Sequence, residues 1–323
     1  MHRGPSRARR LLALLVVPIV ATLSACGSSS STTNSTGSAQ IAVGYTPITT
    51  ALPAWVAQEQ GFFKQNNLDV ALKLSANINT MPPLMGKEYD LALSTQPDLV
   101  KAASNGLDIV QVSGDALDTK ANPTVLIMVR PDSGIKSISD LKGKRIAAPS
   151  LGGNIHLSFL HLLEQNGVPA KSVQAVQVPS PNIPDQLTAK QVDAAEILQP
   201  FANELLSKGM VSLGNPFRSI GDSVTQTFWI ADRSWAESHR DTVVRWVKSL
   251  QQANDFIKSN KERTVAIMEK YTKQPAETLT NTPLPDYSFS NDVAQLSTWI
   301  DIMRQVGDFK PRVDDPKKLV LSP

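Results

Sequence analysis

Arg145-Ile146-Ala147-Ala148-Pro149-Ser150-Leu151-Gly152-Gly153-Asn154-Ile155-His156-Leu157-Ser158-Phe159 reads as strand, turn and helix. Ile146, Ala147 and Ala148 form a short apolar run closed by Pro149, the pattern of a buried strand. Ser150, Gly152, Gly153 and Asn154 make a turn of small residues. Ile155, Phe159, Leu162 and Leu163 then recur at the spacing of one helix face, and Gly167 stands where a C-terminal cap is expected. The start of such a helix carries unpartnered N–H groups and the positive end of its dipole. Two glycines there let an anion approach the backbone. The plainer reading, a connection whose glycines serve only the turn, is the commoner one for a short motif.

Outward from this stretch, strands alternate with helices. Upstream, residues 41–46, 69–74, 90–94, 109–112 and 125–129 read as strands. Helices are expected through Trp55 to Gly61, over 81–88 and over 97–105. Downstream, residues 173–178, 192–198, 210–213 and 224–230 read as strands. The alternation predicts mostly parallel α/β sheets. Beyond the last strand the chain is helical: Val243, Trp246, Val247, Leu250, Ala253 and Ile257 share one face, and Val293, Leu296, Ile300 and Met303 another. Residues 41–323 have the size at which one core tends to become two.

The start of the chain reads as a targeting segment. Arg3, Arg7, Arg9 and Arg10 precede an apolar core over residues 11–23, too short for an ordinary transmembrane helix and suited to a secretory signal. Leu23-Ser24-Ala25-Cys26-Gly27 resembles a bacterial lipobox, whose Cys becomes the lipidated first residue. Cys26 is the sole Cys, so no intramolecular disulfide or Cys-based zinc cluster is available. Without residues 1–26, the 32 Lys and Arg lose four Arg and become 28, against 29 Asp and Glu. The net charge of +3 becomes −1, which gives no case for a nucleic-acid partner. Residues 27–40 are rich in Ser, Thr, Gly and Asn and read as a flexible tether.

Several further segments carry a family resemblance. They are Gly44-Tyr45-Thr46-Pro47, Ala57-Gln58-Glu59-Gln60-Gly61-Phe62-Phe63, Asn67-Leu68-Asp69-Val70, Tyr89-Asp90-Leu91-Ala92-Leu93-Ser94, Ile138-Ser139-Asp140-Leu141-Lys142-Gly143 and Gln191-Val192-Asp193-Ala194-Ala195. In this order they resemble the substrate-binding proteins of ABC importers for nitrate, sulfonates and taurine, a superfamily that includes thiamine-pyrimidine binders. The resemblance implies a two-lobed type II periplasmic-binding-protein fold with a ligand cleft between the lobes. Lobe one would comprise residues 41–128 and 222–323, and lobe two residues 129–221. It implies a monomeric, lipid-anchored extracytoplasmic protein that hands a small organic anion to a permease and ATPase. A thiamine-pyrimidine or similar heterocycle as ligand, or a sensor docking to a signalling partner, are the alternatives.

The same resemblance makes Ser150, Gly152, Gly153, Asn154 and His156 a ligand wall in lobe two. Facing them from lobe one would be the loop of Thr46 and Thr49, together with Ser94, Thr95 and Gln96. The hydroxyls of Ser94 and Thr95 are equally suited to capping the helix that follows. His156 is as readily a buried His satisfied by a neighbour as a ligand contact. His161 lies five residues on, off the face that a metal-binding pair would share. Glu196 and Gln199 follow a predicted strand, and Thr225 and Gln226 lie on the predicted return crossing. Trp55 and Trp229 are the aromatics nearest the predicted cleft, with core packing as the competing role. No nucleophile elbow, zinc-protease motif, phosphate-binding Lys loop or dinucleotide fingerprint occurs, which points to a binder with no cofactor and no metal.

Overall fold

The computed structural model describes residues 37–291, 293–307 and 309–321. The expected signal and Cys26 lie outside them. The strands β1 (Ala39–Tyr45), β2 (Leu68–Leu74), β3 (Leu91–Ser94) and β4 (Ile109–Thr119) come first, with helices α1 (Leu52–Glu59), α2 (Phe62–Gln65) and α3 (Gln96–Ser104) between them. The strands β5 (Val125–Val129), β6 (Arg145–Ala148), β7 (Gln174–Gln177), β8 (Ala194–Leu198) and β9 (Val211–Gly214) follow, interleaved with α4 (Asn154–Gln165), α5 (Ile183–Thr188) and α6 (Phe201–Ser207). The chain continues with β10 (Ser223–Asp232), α7 (Arg233–Ser238), α8 (Arg240–Ser259), α9 (Lys261–Thr272) and α10 (Ala276–Thr280). It closes with the short β11 (Asp286–Tyr287) and α11 (Ala294–Val306).

These strands build two sheets, ordered β11-β4-β10-β3-β1-β2 and β7-β6-β8-β5-β9. Both are mixed, where the sequence pattern suggested mostly parallel ones. β1 runs parallel to β2 and β3, and β6 parallel to β7 and β8. The reversed strands are informative. β5 is antiparallel to β8, and β10 antiparallel to β3 and β4. Each is the first strand after a crossing between sheets. A chain that leaves one sheet at its carboxyl end and enters the next from the same side must run the opposite way. β5 was expected with the first lobe, but it pairs with β8 and β9 and so belongs to the second sheet. The crossing therefore falls before Val125.

The opening stretch folds as read. β6 lies between β7 and β8, so Ile146, Ala147 and Ala148 are buried. Ile155, Phe159 and Leu163 bury one face of α4, and Gly167 ends it at φ 72°. The predicted face of α8 buries Val243, Trp246, Leu250, Ala253 and Ile257, the Val, Leu and Ile side chains each contributing roughly 1.5–3 kcal/mol. Trp246 stacks on Phe63 at 5.0 Å and meets Trp229 edge-on at 4.9 Å. Residues 81–88 form no α-helix. Pro82 and Pro83 lack the N–H groups a helix would use, and the segment holds only a 3₁₀ turn, Pro82–Leu84. Among the described residues no helix is long and apolar enough to cross a membrane.

Candidate functional site

The cleft is built from strand ends. Thr46 follows β1, Ala76, Asn77 and Ile78 follow β2, and Thr95 follows β3. From the second sheet, Pro149, Ser150 and Gly153 follow β6, Ser180 follows β7, and Leu198 ends β8. Gln226 and Thr227 enter from β10, and Ile48, Asn154 and Ile155 complete the wall. Carboxyl ends of strands in an open α/β sheet are where ligands gather, because helix starts there present free N–H groups. The space between the walls, with the open solvent at its mouth counted, is about 470 Å³.

Three polar atoms on this wall are buried and have no partner: Thr46 Oγ1, Ser150 Oγ and Gln226 Nε2. Buried polar atoms are nearly always hydrogen-bonded, and leaving one unpaired costs about 1–3 kcal/mol. Their convergence from both sheets makes this cleft the candidate site. None of the lining side chains is charged. The wall combines hydroxyls and carboxamides with an apolar half made by Ile48, Ile78, Ile155 and Leu198.

Hydrogen bonds between the two sheets' loops draw the cleft shut. Asn154 Nδ2 donates to the Gln226 carbonyl at 2.7 Å, and Lys101 Nζ to the Gly152 carbonyl at 2.6 Å. The Thr49 N–H donates to the Gln199 carbonyl at 3.3 Å. Asn77, with its carboxamide nitrogen toward the carbonyls, donates to Pro149 at 3.2 Å. Desolvation lowers the Lys101 pKa, opposed by the nearby Asp98 carboxylate.

Of the candidates read from the sequence, Thr46, Thr95, Ser150, Gly153, Asn154 and Gln226 come together on the cleft wall. Others are engaged elsewhere. His156 Nδ1 and Glu196 Oε1 are 2.7 Å apart in a buried pair behind the wall. Burial raises the Glu196 pKa, and the His156 contact pulls it back. Trp55 stacks on Tyr271 at 5.0 Å and lies edge-on to Tyr45, so it is core. Trp229 is fully buried, with Nε1 donating to Asp115 Oδ1. Ser94 is buried beneath Thr95, and Gln96 is the buried first residue of α3. Thr49 acts through its backbone, its carbonyl accepting from the Tyr287 hydroxyl. Gln199 Oε1 accepts from the Asn203 N–H, and the Thr225 N–H donates to Gln295 Oε1. Gly152 faces away from the cleft toward Lys101. Thr95 caps nothing with its side chain: its hydroxyl donates to Asp98 at 2.7 Å.

The positive φ of this turn falls at Gly152 and not at Gly153. Gly152 has φ 67°, whereas Gly153 sits at an ordinary −75°. What Gly153 supplies is room. A Cβ there would lie 3.0 Å from Ser150 Oγ and 3.1 Å from its Cβ. Gly153→Val is expected to displace the Ser150 hydroxyl and weaken solute binding about tenfold, or 1.4 kcal/mol. Calorimetry on the variant with a bound solute checks this, and unchanged affinity counts against Ser150 as a contact.

The geometry agrees with what the sequence is similar to. The profile described as NMT1/THI5 like matches residues 48–264. The chain belongs to this family. A Haemophilus influenzae protein named for thiamine biosynthesis is 37% identical over 151 residues, covering 46% of this chain and 45% of that protein. An Escherichia coli protein named for binding aliphatic sulfonates is 26% identical over 175 residues, covering 54% and 53%. The chain thus spans about half the length of these relatives. The alkanesulfonate-binding protein SsuA of Xanthomonas axonopodis pv. citri, solved with MOPS bound, superposes with a TM-score of 0.76 at 19% identity, covering 89% of this chain and 99% of that one. At that identity the likeness is one of fold: a type II periplasmic-binding-protein architecture.

Proposed function

We propose that this NMT1/THI5-like protein is the solute-capturing component of an ABC importer, tethered by a lipid on Cys26 at the extracytoplasmic face of the membrane. Its ligand is a small organic acid, and it binds without turning it over. The observation that carries this reading is the set of unpartnered buried positions, Thr46 Oγ1, Ser150 Oγ and the outward end of the Gln226 carboxamide, meeting across one cleft. The anionic end of the solute would lie against Ser150 and the start of α4, where the N-cap Gly153 offers no side-chain acceptor and Asn154 Oδ1 takes only the Ile155 N–H, at 2.9 Å. A helix start stabilises such a charge by roughly 0.3–1 kcal/mol when exposed and up to about 2 when partly buried. A solute touching both lobes binds the closed form better than the open one, and that difference drives closure. The names of the sulfonate-binding relatives support the same class.

A second reading is a neutral heterocycle. The uncharged wall and its apolar half favour it, as does the relative named for thiamine biosynthesis. Thermal-shift assays with alkanesulfonates, taurine, nitrate, aromatic acids and aminopyrimidines separate the two. A true ligand at a hundredfold excess over Kd stabilises by about 2.7 kcal/mol. Stabilisation by aminopyrimidines alone would replace the organic-acid reading. Chemical change of the bound solute, seen by mass spectrometry, would contradict a pure binder. Cys26→Ser is expected to release the protein from membranes or leave it unprocessed. Wild-type cleavage and membrane retention in that variant would remove the lipid anchor from the proposal.

A further inference from the structure

The polar atoms of Gln226 are set by a proton count that begins at the crossing between the sheets. Thr124 Oγ1 lies 2.9 Å from Asp118 Oδ2 and 2.6 Å from Gln226 Oε1. A hydroxyl has one proton to give, and both of these neighbours are acceptors. The Asp118 carboxylate has the stronger claim. The Thr124 N–H also donates to Oδ2 at 2.7 Å, Asn215 Nδ2 donates at 2.9 Å, and the Arg218 guanidinium contacts Oδ1. Burial raises the Asp118 pKa, while these donors and the Arg218 charge oppose it. A neutral acid here would leave Arg218 facing no counter-charge, the costlier arrangement.

With the Thr124 proton committed to Asp118, the carboxamide of Gln226 is satisfied only after a half-turn. Its nitrogen then donates to Thr124 Oγ1, and its oxygen takes the unpartnered position on the cleft wall. Oxygen and nitrogen of a carboxamide exchange places by that rotation alone, and the hydrogen-bond network decides between them. The backbone aims the side chain as well. Thr225 pairs with Leu117 and Thr227 with the next residue, Ala116, so Gln226 is the extra residue of a β-bulge. Bulges re-aim side chains beside functional sites. Its carbonyl is further held by Asn154 from the second lobe.

We propose that Gln226 presents its side-chain oxygen to the cleft and selects solutes that bring an N–H or O–H donor to that wall. This rests on the cleft being the solute site, and narrows the class from organic acids in general to those bearing a donor away from the acidic end. Thr124 is the positioning residue and Gln226 the specificity-determining one. The hydroxyls of Thr46 and Ser150 can each give or accept, so neither of these two by itself demands a donor from the solute.

Two measurements test it, the first without any solute. In the isotope-labelled protein, the Gln226 side-chain amide signals are identified by their loss in Gln226→Leu. Nuclear Overhauser contacts from those protons to the Thr124 methyl, with slowed exchange with water, are expected. Rapid exchange with no contact to Thr124 overturns the orientation. The second measurement compares 2-aminoethanesulfonate with ethanesulfonate by calorimetry. A preference of about tenfold for the amine is expected, falling to within about threefold in Thr124→Val and restored in Thr124→Ser. Equal binding of the two probes, or a preference indifferent to Thr124→Val, overturns the selection. Binding of neither removes the organic-acid reading of the cleft, and the amide signals then decide the orientation of Gln226 alone.

Discussion

Asp118→Ala is expected to lower the unfolding free energy by about 3–5 kcal/mol, the usual cost of removing one partner of a buried ion pair. Asp118 is the penultimate residue of β4 and is fully buried. It holds both segments that join the sheets. From the first, Thr124 donates through N–H and hydroxyl; from the second come Asn215 and Arg218. Arg218 Nη1 also donates to the Asp222 carbonyl, so its charge is fixed in place beside the carboxylate. Deleting the carboxylate leaves the Thr124 N–H and the guanidinium without their acceptor. Arg218 is a quarter exposed, which lets water recover part of the loss and places the effect toward the lower end. The double variant Asp118→Ala/Arg218→Met should lose less than the single one, since no charge is then stranded. Urea unfolding of the three proteins measures this. A loss below about 1 kcal/mol for Asp118→Ala would mean that the crossing is held by packing instead.

Much of this architecture was legible because its signals are local. The Ile146-Ala147-Ala148 run, the Gly152-Gly153 turn and the face of α4 are each fixed by residues within one or two turns of chain. What was not legible is tertiary. The strand expected to end at Val112 continues to Thr119, through Gly114, Asp115 and Asp118, residue types that disfavour strands. It continues because each acid finds partners far away in sequence: Asp115 on β10, and Asp118 at both crossings. Asn77 and Ile78 lie in a loop with no motif and reach the cleft only because β2 is the neighbour of β1. Gln226 is aimed by a bulge that no single sequence displays.

One misplacement had a readable signal. Ala194, Ala195, Ile197 and Leu198 make an apolar strand, and Glu196 sits in its middle. A carboxylate there must be paired inside the protein, since isolated buried charges are too costly. His156, on the helix that packs over β8, is that partner. Both were candidates for touching the ligand. Their pairing leaves the wall itself without a charged side chain, and this makes hydroxyls, the carboxamides of Asn77, Asn154 and Gln226 and the start of α4 its polar vocabulary.

A second large effect concerns pH. The wild-type protein is expected to lose stability as pH rises from about 4 to about 8, and Asp115→Asn to remove most of that loss. Asp115 is buried on β4, and burial raises its pKa from the ordinary 3.8 to about 8, against the hydrogen bonds from Thr227 and Trp229. The sign follows from proton counting. Between the two values the folded protein keeps a proton on Asp115 and the unfolded chain does not. Folding therefore takes up a proton, and each step up in pH disfavours it until the folded carboxyl also ionises near 8. A difference of that size is worth on the order of 5 kcal/mol. Asp98, Asp118 and Glu196 are also raised by burial and slope the same way, so the comparison with Asp115→Asn isolates one residue. The amide suits the site because it copies the neutral acid. Its oxygen accepts from Trp229 Nε1, as Asp115 Oδ1 does at 3.1 Å, and its nitrogen donates to the Thr227 hydroxyl, now 2.7 Å from Oδ2. Denaturant unfolding of both proteins at pH 5 and pH 8 provides the measurement. A gap between variant and wild type that fails to widen toward pH 8 would show that Asp115 is ionised in the folded state, held by Thr227 and Trp229 against the cost of its burial.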